Sequence, residues 1–146
     1  MGRDFSVQGK VARRGWRAGA LAAATALAWL WPLAPATAQQ GNAADGADVF
    51  KKCRACHDVG PEAKNKVGPM LNDVIGRTAG TVPQFAYSVA NKTAGVKGLT
   101  WSEESLTKYL EDPRAFIPGT KMAFAGLKDP QDRSDLIAYL KTFSKK

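Results

Sequence analysis

Histidine and cysteine are scarce in this chain of 146 residues, which has one histidine and two cysteines. A structural zinc site normally takes four Cys or His ligands, so these three residues cannot complete one. A single histidine also excludes a metal centre held by two imidazoles of the same chain. Runs of β-branched residues are few, so the sequence does not indicate a β-sheet.

A long apolar run is also lacking. Residues 18–31 form a run of 14 before Pro32 interrupts it, whereas a membrane-spanning helix needs roughly 20. Arg13, Arg14 and Arg17 form a basic head before this run, and Ala36-Thr37-Ala38 follows it as a cleavage site, which is the order of a secretory signal peptide. We therefore predict an exported protein with a signal peptide over residues 1–38 and a single domain over residues 39–146. An uncleaved N-terminal anchor is the alternative.

Basic residues outnumber acidic ones, and the excess is smaller in the predicted domain than in the whole chain. Of the formal net charge of +8, residues 1–38 contribute five basic residues and one acid, so residues 39–146 keep 16 basic and 12 acidic residues, or +4. The sequence has no arginine-rich runs. This balance favours acidic protein partners or anionic surfaces and argues against nucleic acid.

Cys53, Cys56 and His57 stand in the C-x-x-C-H pattern of covalent c-type haem attachment. One helical turn separates the two thiols, so each can bond one vinyl group of the same porphyrin, and His57 can bind the iron as proximal ligand. A thioredoxin-like pair would need a βαβ context, which the sequence does not indicate. A disulfide between the cysteines would leave His57 unexplained. The motif therefore predicts one covalently bound haem c.

The second axial position is left to a methionine sulfur, a lysine amine or no ligand, because there is no second histidine. The predicted domain contains Met70 and Met122. Met70 follows His57 by 13 residues and would have to reach the opposite haem face at once. Met122 follows by 65 residues, in a loop constrained by Pro118 and Gly119. We predict Met122 as the ligand and Met70 as a core-filling side chain.

Apolar periodicity and capping signals predict three main helices. The first covers residues 44–56 and runs directly into the C-x-x-C-H motif. The second follows a capping-box pattern at residues 100–103 and ends before Pro113. The third begins with Asp129 as N-cap and Pro130 at the first helical position. Two shorter helical segments are expected, over residues 70–75 and 88–92.

Residues 117–126 resemble the methionine-ligand loop of class I cytochromes c. The similarity continues in order over residues 41–144 and includes Gly46, the C-x-x-C-H motif, Gly68-Pro69 and the closing segment 135–140. Within the class, the chain resembles the bacterial cytochromes c2, which are close relatives of mitochondrial cytochrome c. The resemblance implies an all-α class I cytochrome c fold, with three main helices, short helices and irregular loops wrapped around one haem. The predicted signal peptide agrees with a periplasmic location.

The resemblance also implies haem-binding roles for seven further residues. Pro69 would accept the Nδ1 hydrogen of His57 through its carbonyl group. Three side chains would hydrogen-bond the haem propionates: Arg77, Tyr87 and Trp101. Three others would form a polar network behind the Met122 sulfur: Asn91, Tyr109 and Thr120. Gly46 would allow the first and last helices to approach closely.

The implied activity is electron transfer and not catalysis. Iron bound by both His57 and Met122 has no vacant position for oxygen or peroxide, which favours outer-sphere transfer at an exposed haem edge. A thioether ligand favours ferrous iron and raises the potential. The alternatives are a haem protein with a labile Met122 that acts as a ligand sensor or redox enzyme, and a dedicated electron acceptor of one periplasmic dehydrogenase.

The partners implied by the resemblance are membrane redox complexes. A cytochrome bc complex would be the donor, and a terminal oxidase or a photosynthetic reaction centre the acceptor. Docking is expected through a basic surface made of Lys52, Lys66, Lys121 and Lys128. Such a surface steers association and makes the rate depend on salt. The protein is expected to be a monomer, peripheral to the membrane.

Overall fold

The computed structural model describes residues 40–145, so the predicted signal peptide lies outside the described residues. Five α-helices occur in this part of the chain: α1 (Ala43–Phe50), α2 (Val89–Val96), α3 (Glu103–Glu111), α4 (Pro113–Phe116) and α5 (Pro130–Lys141). Turns and irregular segments connect them, and the only β-type pairing between residues 40 and 145 is an isolated bridge between Thr78 and Thr100. The predicted all-α fold is confirmed.

Helices α1 and α5 cross in close contact because α1 carries a glycine at the crossing. A Cβ atom on Gly46 would overlap the carbonyl oxygen of Asp135 and lie 2.7 Å from the Cβ of Tyr139. The backbone N–H of Asn42, the N-cap of α1, donates to the Asp135 carboxylate at 2.7 Å. Phe50 packs on Tyr139 with the ring centroids 5.4 Å apart. The crossing thus joins the two ends of the described chain.

The core forms between α1, α3 and α5 and extends over the loops. Helix α3 contributes Leu106, Tyr109 and Leu110, and α5 contributes Leu136, Ile137 and Leu140, all buried. Each fully buried side chain of this size stabilises the fold by about 1.5–3 kcal/mol relative to an exposed one. None of the residues of α2 is buried, so that helix relies on its ends and on partly buried alanines.

The predicted first helix is too long. Helix α1 ends at Phe50, and residues 51–57 continue as tighter turns in which Cys53 N–H bonds Phe50 O and Cys56 N–H bonds Cys53 O. Phe50 is the last fully buried residue of this segment, while Lys51, Lys52 and Arg54 are exposed. The motif therefore lies on turns that follow the helix and mix i→i+3 with i→i+4 bonds, because little core packing continues beyond Phe50.

Two other helix predictions also need correction. Residues 70–75 form turns and no helix, because Asp73 adopts a left-handed conformation (φ 55°). The apolar spacing there reflects a loop packed on the core, with Val74 buried. The capping box of α3 is formed by Ser102 and Ser105, each side chain bonding the other's backbone N–H, and not by residues 100–103. Thr100 is instead engaged in the bridge to Thr78.

The remaining helix predictions differ only in extent. Helix α2 begins at Val89, one residue later than expected, and continues to Val96. Asp112 ends α3 and caps the short helix α4, which the sequence reading missed. Helix α5 has Asp129 as N-cap and Pro130 at its first position, as predicted. Within residues 40–145, no helix has both the length and the apolar character to cross a membrane.

Candidate haem site

The two thiols and the imidazole of the C-x-x-C-H motif share one turn of backbone. The N–H groups of Cys56 and His57 both donate to the Cys53 carbonyl, at 3.0 and 2.9 Å. No disulfide joins the two cysteines, of which Cys53 is partly buried and Cys56 is exposed. Burial raises the pKa of the Cys53 thiol to about 11, more than the neighbouring Lys52 lowers it, so this thiol is neutral at pH 7.

The imidazole of His57 is fixed on one side by backbone. Its Nδ1 lies 2.7 Å from the carbonyl oxygen of Pro69. A carbonyl can only accept, so Nδ1 carries the hydrogen and Nε2 has the free lone pair. Burial lowers the pKa of His57 more than the Pro69 hydrogen bond raises it. The net effect favours the neutral ring. A Cβ on Gly68 would overlap this ring, so glycine there lets the backbone lie against it. The ring has the form in which histidine binds metals.

Met122 and Met70 have different surroundings. The Met122 side chain is partly buried against the core, and its sulfur accepts a hydrogen bond from the Tyr109 hydroxyl at 3.2 Å. Burial raises the pKa of Tyr109, so the hydroxyl remains protonated and can donate. Met70 is also partly buried but lies outside the core cluster, contrary to its interpretation as core filling. Its carbonyl accepts a hydrogen bond from Arg77.

The structure brings together the three side chains expected behind the Met122 sulfur. The Asn91 amide donates to the Thr120 hydroxyl at 3.1 Å, and that hydroxyl lies 3.5 Å from the hydroxyl of Tyr109. The backbone N–H of Met122 also donates to the Thr120 hydroxyl, at 3.3 Å. A fifth residue, Ser88, bonds the other side of Asn91 and was not among the predicted site residues.

Arg77, Tyr87 and Trp101 also lie in one region. The backbone N–H of Trp101 donates to the Arg77 carbonyl at 2.9 Å. The Trp101 indole is buried against Tyr109, with the ring centroids 4.8 Å apart. Burial lowers the pKa of Arg77 and raises that of Tyr87, and each partly offsets the shift of the other. Arg77 also donates to the carbonyl of Asn72 at 2.8 Å, which fixes its guanidinium.

The four lysines of the predicted docking surface are exposed, but three of them have partners within the chain. Lys52 pairs with Asp132 at 2.8 Å, and Lys128 donates to the Glu111 carbonyl at 2.8 Å. Lys66 donates to the carbonyls of Arg54 and His57, at 3.2 and 3.5 Å. Lys121, next to Met122, has no ion pair among the residues that the structure describes.

These donors fit a haem c. Two thiols one turn apart suit two thioether bonds, and the adjacent imidazole presents an unprotonated Nε2. The thioether of Met122 supplies a second soft donor, held by a hydroxyl that leaves one sulfur lone pair free. The glycine beside the His57 ring gives the imidazole its space, since any larger residue would displace it.

The chain matches the family model described as cytochrome c over residues 43–144. This chain belongs to the cytochrome c family. It is 58% identical over 112 residues to cytochrome c2 of Blastochloris viridis, covering 77% of this chain and 84% of the relative. It is 55% identical over 100 residues to cytochrome c2 of Afifella marina, covering 68% and 81%. The solved structure of cytochrome c2 from Rhodospirillum centenum matches with a TM-score of 0.70 and 50% identity, covering 72% of this chain and all of that one.

Membership of the family establishes the cofactor and the class of activity. The protein carries one covalently bound haem c and is a mono-haem electron-transfer protein, not an enzyme. It shuttles electrons between membrane redox complexes, which confirms the predicted carrier function. The comparisons support this function and give no support to the alternative of a ligand sensor.

Two residues near the site were missed by the sequence analysis. Asn65 connects two loops by accepting from the Met70 N–H at 3.0 Å and donating to the Pro83 carbonyl at 3.0 Å. Nothing in a single sequence marks such a contact between loops. Ser88 could have been found, because a serine at the start of a predicted helical segment is a recognised N-cap signal.

Proposed function

We propose that His57 and Met122 are the axial iron ligands of the haem c and that Cys53 and Cys56 attach it. The observation that carries this assignment is the hydrogen bond from Tyr109 to the Met122 sulfur, because it fixes a soft donor in an apolar setting. His57 is the only imidazole of the chain, and its Nε2 is free to bind iron.

A haem held by these residues would supply one-electron chemistry between the ferrous and ferric states of its iron. The protein's part is to hold both ligands in place in both states. The Pro69 carbonyl keeps the His57 ring oriented, and the Thr120 hydroxyl holds the Met122 backbone. With both positions filled, small molecules have no access to the iron, and little structure needs to move with each electron.

Further residues would bind the periphery of the group. Arg77, Tyr87 and Trp101 would donate hydrogen bonds to the propionates, whose charges would be costly to bury without partners. Arg77 is partly buried, and this burial lowers the pKa of its guanidinium. Pro69, Asn91, Tyr109 and Thr120 would act through the two axial ligands instead of touching the propionates.

Spectra of the purified protein test the ligand assignment. We expect a weak band at the near-infrared edge in the ferric protein, from sulfur-to-iron ligation, and no reaction of the ferrous protein with carbon monoxide at neutral pH. The haem should remain with the polypeptide after denaturation and acid extraction. Rapid carbon monoxide binding would contradict the assignment, because it requires a vacant or easily vacated position.

We also propose that the mature protein comprises residues 39–146, works in the periplasm and remains peripheral to the membrane. The order of a basic head, an apolar run and an A-x-A site supports cleavage after Ala38. A cytochrome bc complex is the proposed donor, and a terminal oxidase or photosynthetic reaction centre the proposed acceptor. Mass spectrometry of the exported protein would place the cleavage, and oxidation of the ferrous protein by membrane fractions would separate the two acceptors.

Docking to these complexes is proposed to use Lys52, Lys66, Lys121 and Lys128. Lys121→Glu should lower the second-order rate of oxidation by membranes several-fold at low salt, because it reverses a charge directly next to Met122 that has no ion pair among the described residues. The difference from wild type should shrink as salt rises. Lys145→Glu is the matched control, since it changes the net charge equally at the end of the chain. Equal slowing by both variants, or a salt-independent rate, would contradict this surface.

A further inference from the structure

Ser88 has a buried hydroxyl group that caps a helix and also contacts a second side chain. It is 5% exposed and is the N-cap of α2. Its Oγ accepts from the backbone N–H of Asn91 at 3.1 Å and from the Asn91 side-chain amide at 3.3 Å. An N-cap serine needs only the first of these bonds to satisfy a free helix N–H. The second bond fixes the orientation of the Asn91 side chain.

The Asn91 amide therefore has both of its hydrogens engaged. One bonds the Ser88 hydroxyl, and the other bonds the Thr120 hydroxyl at 3.1 Å. A side-chain amide has two N–H donors in a fixed plane. Holding one of them at Ser88 consequently determines where the other points, 29 residues further along the chain.

From Thr120 the hydrogen bonds continue in one direction to the Met122 sulfur. Tyr109 has a single hydroxyl hydrogen, which is donated to that sulfur. In the 3.5 Å contact between the two hydroxyls, Thr120 must therefore be the donor and Tyr109 the acceptor. Thr120 in turn accepts from Asn91 and from the Met122 N–H. The side chains of such a hydrogen-bond network depend on one another for their orientation, so the loss of one member affects the others.

We propose that Ser88 is a positioning residue for Met122, acting through Asn91, Thr120 and Tyr109. The proposal rests on the assignment of Met122 as an axial ligand. Loss of the Ser88 Oγ leaves the Asn91 side chain free to turn. Thr120 then loses a fixed partner, and the Met122 segment separates from the iron more readily. Added imidazole, which competes with Met122 for ferric iron, measures that separation directly.

Ser88→Gly is the sharpest variant because it removes the hydroxyl while glycine remains an acceptable N-cap residue. We expect imidazole to bind the ferric protein about three- to tenfold more tightly than it binds wild type, as the loss of one or two modest hydrogen bonds implies. Ser88→Thr keeps the Oγ and should bind imidazole as wild type does. Ser102→Gly is the matched control, since Ser102 caps α3 in the same way but is exposed, and its side chain bonds Ser105 and none of Asn91, Thr120, Tyr109 or Met122.

A role limited to capping α2 makes the opposite prediction. It requires Ser88→Gly and Ser102→Gly to bind imidazole equally and as wild type does, and that result would overturn the proposal. Met122→Ala is titrated alongside as the reference. If its imidazole affinity equals that of wild type, the axial assignment itself fails. If Met122→Ala binds more tightly but Ser88→Gly does not, the axial assignment stands and only the role of Ser88 is rejected.

Discussion

Replacing Met122 with alanine should open the sixth position of the iron and lower the reduction potential. The thioether stabilises ferrous iron, so its loss favours the ferric state. Axial ligands set haem potentials over a range of about 0.8 V, and we expect a fall on the order of 0.1–0.3 V. The near-infrared-edge band should disappear from the ferric spectrum, and the ferrous protein should bind carbon monoxide. Potentiometric titration and a carbon monoxide difference spectrum measure these changes.

Met70→Ala is the matched control for Met122→Ala. It removes the other methionine of the predicted domain, which is also partly buried, yet should change neither the spectrum nor carbon monoxide binding. The Met70 backbone keeps its bonds to Asn65 and Arg77 in this variant, because both use main-chain atoms. If Met70→Ala opened the iron and Met122→Ala did not, the axial assignment would be reversed.

Gly46→Ala should destabilise the protein strongly, although alanine is the better helix former. By propensity alone the change would stabilise α1 by about 1 kcal/mol. The added Cβ, however, would overlap the Asp135 carbonyl, which is backbone and cannot rotate away. Overpacking of this kind typically costs about 1–3 kcal/mol, and more where helices must separate. We expect a net loss of free energy of unfolding, measured from the midpoint of denaturant unfolding.

Ala44→Gly provides the comparison within the same helix. Ala44 is exposed, so this change should cost only the helix propensity of glycine, about 1 kcal/mol. The two variants exchange the same pair of residues in opposite directions two positions apart. Both should destabilise if the Asp135 contact dominates at Gly46. A stabilised Gly46→Ala protein would show that the α1–α5 crossing can widen at little cost.

Local chemistry explains which features could be predicted from the sequence. The C-x-x-C-H motif is read from five consecutive residues, because both thiols and the ring must reach one group. Asp129 and Pro130 mark the start of α5 because capping depends on neighbouring residues only. The role of Pro69 followed from the family resemblance, and its carbonyl does lie 2.7 Å from the His57 ring.

The errors arise where distant contacts decide the local conformation. Residues 70–75 carry a helical apolar pattern, but Leu71 N–H bonds the Asp58 carbonyl and Asp73 N–H bonds that of Phe143. These bonds to remote segments replace the helical ones, and a propensity argument has no access to them. The Asn91–Thr120 contact, across 29 residues, was reached through the family resemblance, and Ser88 was missed.

The α1–α5 crossing has a consequence for the order in which the chain can fold. Asn42 and Asp135, which bond across it, are 93 residues apart, so their pairing closes a loop of nearly the whole domain. Loops of that length close at a high entropic cost that only completed packing offsets. A chain in which α5 has not yet packed therefore leaves α1 without the helix that it contacts in the folded domain. The attachment thiols, which follow α1 directly, therefore stay accessible to modifying factors until the carboxyl-terminal helix has packed.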